Sequence, residues 1–211
     1  MGLNRWRVRL VRFAFHHLYT TFAFLYDTVS AGVSMGEWRA WQRAALPRVQ
    51  GQRVLEIAFG TGDLQLDLWA AGYAPFGLDA SSSMTRIARD KLRRADFTPR
   101  LARGRVQALP FPAAAFDAIV MTFAPAFFTS PTAVTEMHRT LARGGRLIAV
   151  DVGQVERRGV SGWLIDLAFR FTSASPSLIS QAESLSGFGF EARVEIQQCA
   201  RSSVQVLIAM K

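Results

Sequence analysis

The chain has 211 residues, half of them hydrophobic and 19% charged. That is the size and composition of one α/β domain with a short arm, and it excludes wholesale disorder, collagen-like repeats and low-complexity classes. The formal charge of +9 is carried by 23 arginines, Lys91 and Lys211, unevenly: +6 over residues 1–53, −4 over 54–85, +6 over 86–105 and +1 over the remainder.

The two basic stretches point to an anionic partner (a membrane surface, a nucleic acid or an anionic substrate) or to solvated helix faces. The single cysteine, Cys199, excludes an internal disulfide. His16, His17 and His138 lack ligand spacing, so no metal site is expected.

In chain order, residues 1–50 read as an amphipathic helical arm and 51–211 as the folded domain. No apolar run reaches the ~18 residues of a spanning helix. Arg5, Arg9, Arg12 and His16 share one stripe at 100° per residue, with Trp6, Leu10, Phe13, Phe15 and Leu18 opposite. Residues 5–24 therefore suit either an anionic membrane interface or packing on the domain's own core. A second helix is predicted over 34–46, with Trp38, Trp41, Ala45 and Leu46 at core-like spacing and Pro47 as its stop.

Residues 53–58 read as a short buried strand, 59–63 as a glycine turn and 64–70 as a helix ending near Gly72. A second strand over 74–79 ends in an acid, Asp79. Strand, glycine turn and helix form the βα unit that seats adenosine cofactors, because small residues let a ligand approach the backbone and helix-terminal N–H groups meet its polar atoms. Asp79 lies where a carboxylate accepts ribose hydroxyls. A dinucleotide site would place a third glycine at position 65, which is Gln, and Glu56 just before the turn would repel a pyrophosphate. Two acids bracketing the turn fit a zwitterionic nucleoside better. Ser81-Ser82-Ser83 reads as the cap of a helix beginning near Met84.

The segment "VLEIAFGTGD" at 54–63 resembles motif I of the class I S-adenosylmethionine-dependent methyltransferases. The resemblance continues in order through "GLDASSSMTRIARDKL" at 77–92, "QALPFPAAAFDAIVMTF" at 107–123, "LARGGRLIAVD" at 141–151 and the terminal "GFGFEARVEI…VQVLIAMK". Within that class the chain is most similar to the ubiquinone/menaquinone C-methyltransferase group, which tolerates alanine at the first motif-I glycine, as at Ala58; "LYDTVSAGVSMGEWRAW" at 25–41 is similar to that group's lead-in.

The resemblance implies a doubly wound α/β fold: a seven-stranded, mostly parallel sheet with a C-terminal antiparallel hairpin and an N-terminal helical cap. It implies S-adenosylmethionine as cofactor, lined by Ala58, Gly60, Thr61 and Gly62. Glu56 would face the amino group through solvent or backbone, and Asp79, followed by Ala80, would hold the ribose. Thr122 would lie near the methionine moiety. The family's adenine-binding acid is replaced by Arg105, which has no acceptor, leaving the backbone N–H of Val106. Phe59 would pack on the cofactor or simply fill core.

Methyl transfer is an in-line displacement at a sulfonium, driven by positioning and water exclusion, and no catalytic residue is nominated. Tyr19, Tyr26, Phe123 and Phe127 are candidates for the acceptor pocket; His138 is placed on the exposed side of the helix before strand five. After strand four the chain has "TFAPAFF" rather than an Asn/Asp-Pro-Pro-aromatic run, which lowers a nucleic-acid reading and favours an apolar pocket.

The reading is a cytoplasmic methyltransferase, peripheral on the inner face of a membrane, acting on a small lipophilic acceptor such as a quinone precursor. A phospholipid-headgroup N-methyltransferase, an RNA methyltransferase and a non-catalytic nucleoside binder are the competing readings.

Overall fold

A computed structural model describes residues 32, 34, 36–124, 130–155 and 178–211. The expectations for residues 5–24, and for Tyr19, Tyr26 and Phe127, lie outside the described residues.

Seven strands form one sheet: β1 (Val54–Ile57), β2 (Phe76–Asp79), β3 (Arg100–Arg103), β4 (Phe116–Thr122), β5 (Leu141–Val155), β6 (Glu191–Gln198) and β7 (Ser202–Met210). Their spatial order is β3-β2-β1-β4-β5-β7-β6. The first five run parallel, while β7 pairs antiparallel with both β5 and β6. The expected mostly parallel sheet with a terminal hairpin is thus present, with β7 inserted between β5 and β6.

β1 is buried along its whole length, as a central parallel strand covered on both faces must be. Its alternation divides the core. Leu55 and Ile57 point to the face covered by α4 (Pro131–Thr140) and α5 (Leu178–Ser186), through Ala133, Val134, Met137, Leu178 and Leu185. Val54 points to the face covered by α1 (Trp38–Arg43) and α2 (Asp63–Ala70), through Trp41, Leu64 and Leu68. A fifth helix, α3 (Ser82–Arg94), lays Met84, Ala88 and Leu92 inward against β2 and β3. Each large side chain fully buried here contributes about 1.5–3 kcal/mol.

The helix starts follow from their caps. Ser81 Oγ accepts from the Met84 N–H at 3.3 Å, as its serine run predicts, and Ser130 Oγ accepts from Ala133 N–H at 3.4 Å ahead of Pro131. At the far end of α4, Lys211 Nζ donates to the carbonyls of His138 and Leu141 at 2.7 and 2.8 Å, where an ammonium also meets the negative end of the helix dipole.

α1 is shorter than predicted. It covers Trp38–Arg43, and a 3-10 turn over Leu46–Arg48 follows, with Pro47 in its first turn. Pro47 therefore sits inside the turn instead of stopping one continuous helix. The core spacing nevertheless holds: Trp41 and Ala45 are wholly buried. Trp41 Nε1 donates to Ser202 Oγ on β7 at 2.8 Å, and Ser202 Oγ donates to Glu37 at 2.7 Å. The Trp41 ring also lies so close to Gly153 on β5 that a Cβ there would come within 2.6 Å.

His138 does not lie on an exposed face. It is half-buried, edge-on to Phe190 with ring centroids 5.1 Å apart, and burial, aided by Lys211, lowers its basicity.

Candidate functional site

Glu56, Ala58, Gly60, Thr61, Gly62, Asp79, Ala80 and Thr122 lie at the carboxyl ends of β1, β2 and β4, the end at which an open parallel sheet offers a crevice. After β1 the backbone makes a turn that requires left-handed residues: Ala58 at φ 57, Gly60 at φ 56 and Gly62 at φ 85. The first is a non-glycine residue in a conformation that costs roughly 1–2 kcal/mol, and Ala58 is secured there by donating its N–H to Leu78 O at 2.7 Å. Gly62 caps α2 against α3, with any Cβ forced to 2.7 Å from that of Ala88. Gly60 faces the other way. Among the described residues a Cβ there would meet nothing within 4 Å, so they leave the outer side of the turn open.

Asp79 ties the turn to β2. Its Oδ2 accepts from Gly60 N–H at 3.0 Å and its Oδ1 from Ser81 N–H at 2.7 Å. Burial pushes its carboxyl above the ordinary range, against the pull of the Ser81, Gly60 and Ala80 N–H groups. Glu56 lies beneath the turn, 1% exposed. Its Oε2 accepts from Gln65 Nε2 on α2 at 2.8 Å. Burial raises its pKa well above the usual carboxylate range, the Gln65 bond opposes this, and Asp79, Asp63 and Asp67 add to it.

The other two acids of this segment are neutralised. Asp63 Oδ1 meets Arg39 and Lys91, each at 2.8 Å, and Asp67 Oδ1 meets Arg39 at 2.8 Å and Arg43 at 3.0 Å. Part of the basic charge assigned to outside partners is therefore spent on joining α1 and α3 to α2.

Thr61 and Thr122 are buried within the site, Thr122 at the end of β4. Phe123, next along, adopts φ 54 and stacks on Trp38 with centroids 4.0 Å apart. Trp41 lies 6.0 Å from the same ring. Phe123 thus forms an aromatic wall with α1. Phe59 is 4% exposed, and its ring covers Gly77 of β2, where a Cβ would come within 2.7 Å. It fills the sheet's core. Arg105 is exposed, and Val106 is buried beside it. Among the described residues no group of three or more His, Cys, Asp and Glu side chains is placed to hold a metal ion.

Residues 54–145 match the model of a methyltransferase domain. This segment belongs to the methyltransferase domain family. The resemblance to S-adenosylmethionine-dependent methyltransferases read from the motifs therefore holds for this domain. The chain is 36% identical over 132 residues to a demethylmenaquinone methyltransferase of Thermus thermophilus, covering 60% of each chain. It is 32% identical over 139 residues to one of Symbiobacterium thermophilum, covering 61% of this chain and 55% of the relative. The chain thus spans somewhat over half the length of these curated relatives. The fold of the methyltransferase domain is shared with an S-adenosylmethionine-dependent methyltransferase of Thermotoga maritima, at TM-score 0.66 and 21% identity, over 92% of this chain and 98% of that one.

Gln65 is the residue that motif reading undervalued. It stood out only as a departure from glycine. The signal was available: a long polar side chain between Leu64 and Leu68 on the buried face of α2 needs a buried partner.

Proposed function

We propose that the chain transfers a methyl group from S-adenosylmethionine to a small lipophilic acceptor of the quinone-precursor class, from the cytoplasmic side of a membrane surface. The observation that carries the donor half is the pair of acids around one glycine turn: Glu56 sealed beneath it and Asp79 bonded to the Gly60 N–H.

The residues present suit that ligand. The Asp79 oxygens accept from backbone N–H groups of Gly60, Ser81 and Ala80 and, with about four lone-pair sites between them, keep capacity for a ribose hydroxyl. The open side of Gly60 admits the nucleoside against the backbone. Glu56, whose negative charge is disfavoured by burial, gains most from an ammonium arriving above it. Ala58, Thr61, Gly62 and Ala80 would complete the cradle, and Val106, not Arg105, would meet the adenine through its backbone.

Bound in this way, S-adenosylmethionine supplies an electrophilic methyl on a sulfonium. The chain's part is to hold that methyl in line with the acceptor and to exclude water. Thr122 and the Phe123–Trp38 stack line the end of β4 from which an apolar acceptor would approach, with Tyr19, Tyr26 and Phe127 as further pocket candidates. The curated names of the similar proteins support a quinone precursor as acceptor, and the basic amphipathic pattern of residues 5–24 supports an anionic membrane surface. No described helix is long and apolar enough to cross a membrane.

The test is mass spectrometry of lipid extracts incubated with the protein and isotopically labelled donor. Label in a lipophilic product is expected. Donor that stays intact with every lipid fraction, or label in RNA, would refute the reading. The membrane half is read by sedimentation with anionic liposomes, which should be lost on deleting residues 1–24; unchanged sedimentation would refute it.

A further inference from the structure

The Glu56–Gln65 contact goes beyond what the motif assigns. Both side chains are buried, at 1% and 0% exposure, and their atoms meet at 2.8 Å. The Gln65 amide spans two strands: Nε2 donates to Glu56 on β1 and, at 3.4 Å, to Phe76 O at the start of β2. Both amide hydrogens are thus committed to acceptors, and Gln65 Oε1 is buried with no hydrogen-bond partner among the described residues. Leaving an acceptor orphaned costs free energy. The amide holds this orientation because the carboxylate, which can only accept, demands the donor side.

No described cation reaches Glu56. On its own sheet it sits opposite Gly77 of β2 and Val120 of β4. Asp79 approaches from β2, and Asp63 and Asp67 act from α2. The cations nearby, Arg39 and Arg43 of α1 and Lys91 of α3, bind Asp63 and Asp67.

We infer that Gln65 is a positioning residue: its amide fixes the Glu56 carboxylate in its ionised, acceptor form, so that it can receive the amino group of the methyl donor. The inference rests on the donor-binding reading above. If Gln65 loses its donor, Glu56 keeps its burial and its acidic neighbours but loses its bonded N–H. The proton then competes with the ammonium. Protonation of Glu56 would also favour rotation of the amide, since a carboxylic O–H can donate to the orphaned Oε1.

The experiment compares two ligands by calorimetry across pH: S-adenosylhomocysteine, which carries the amino acid moiety, and 5′-methylthioadenosine, which lacks it. Gln65→Met keeps the side-chain length and removes the donor. It should weaken S-adenosylhomocysteine at least about tenfold, leave 5′-methylthioadenosine unchanged, and move the acid limb of S-adenosylhomocysteine binding to higher pH. Equal weakening of both ligands, or wild-type affinity with an unmoved acid limb, would overturn the inference. If methionine loosens the fold, Gln65→Asn, whose amide is one methylene too short to reach, takes its place with the same expected outcomes. Failure of the wild-type protein to bind either nucleoside would instead overturn the donor reading, and this inference with it.

Discussion

Substituting Gly62 with alanine isolates the contact that fixes the turn. Two costs are separable. The residue sits at φ 85, where an L side chain costs about 1–2 kcal/mol. Its Cβ would also lie 2.7 Å from Ala88 Cβ and 3.1 Å from Ala88 Cα, and such overpacking adds roughly 1–3 kcal/mol. Gly62→Ala should therefore destabilise by about 2–5 kcal/mol. Ala88→Gly alone should cost about 1 kcal/mol, the penalty for glycine inside a helix. In the double variant the Cβ–Cβ clash is gone, while the left-handed strain and the helix penalty remain. The pair should thus fall short of additivity by about 1–2 kcal/mol. Urea unfolding at constant m-value measures all four proteins. Additivity within about 0.5 kcal/mol would refute the close approach of α2 to α3 and the reason given for glycine at this position.

Three further outcomes are expected. Trp41→Phe keeps a ring against Gly153 but removes the indole N–H that Ser202 Oγ accepts, and should cost about 0.5–1.5 kcal/mol in unfolding free energy; a thermal midpoint equal to wild type would count against the buried bond. Glu56→Gln should raise the melting temperature of the ligand-free protein near neutral pH. Because the folded carboxyl titrates above its unfolded value, its contribution to stability is present at low pH and lost as pH rises through the folded pKa. The gain from Glu56→Gln should therefore shrink as pH falls; a gain that grows on acidification would contradict the sign. Lys211→Met retains the stem but removes the ammonium from the carbonyls of His138 and Leu141, and should cost about 0.5–2 kcal/mol, read by the same unfolding curves.

Where local pattern and tertiary demand agree, the chain was readable from its residues. β1, the glycine turn, α2 and the acid ending β2 form one unbroken stretch, and each element is set by its own residues: a fully apolar strand face, glycines where φ is positive, an acid at the helix start. The Ser81 cap was equally plain. α1 was read too long because Trp38, Trp41, Ala45 and Leu46 keep helical spacing across a break into a 3-10 turn, and apolar spacing does not register that change of pitch. His138 was misplaced because its cover comes from Phe190, far along the chain. The exchange of Arg39, Arg43 and Lys91 with Asp63 and Asp67 was visible only as blocks of opposite charge; which blocks meet depends on how α1, α2 and α3 are docked. β3 went unread, since arginines at both ends of a four-residue strand break the apolar run that marks its neighbours.

The insertion of β7 between β5 and β6 has a consequence for biosynthesis. Val204, Val206, Leu207 and Ile208 are buried in the core, and Ser202 accepts the indole proton of Trp41 on α1, 161 residues earlier in the chain. While the ribosome is still making β6, the β5 edge is unpaired and the pocket for Trp41 lacks a wall. Only once residues 202–210 clear the exit tunnel can the earliest and latest described elements close on each other. Closure of the sheet is therefore a late, non-local step, because the β5 edge gains its partner only from residues far along the chain.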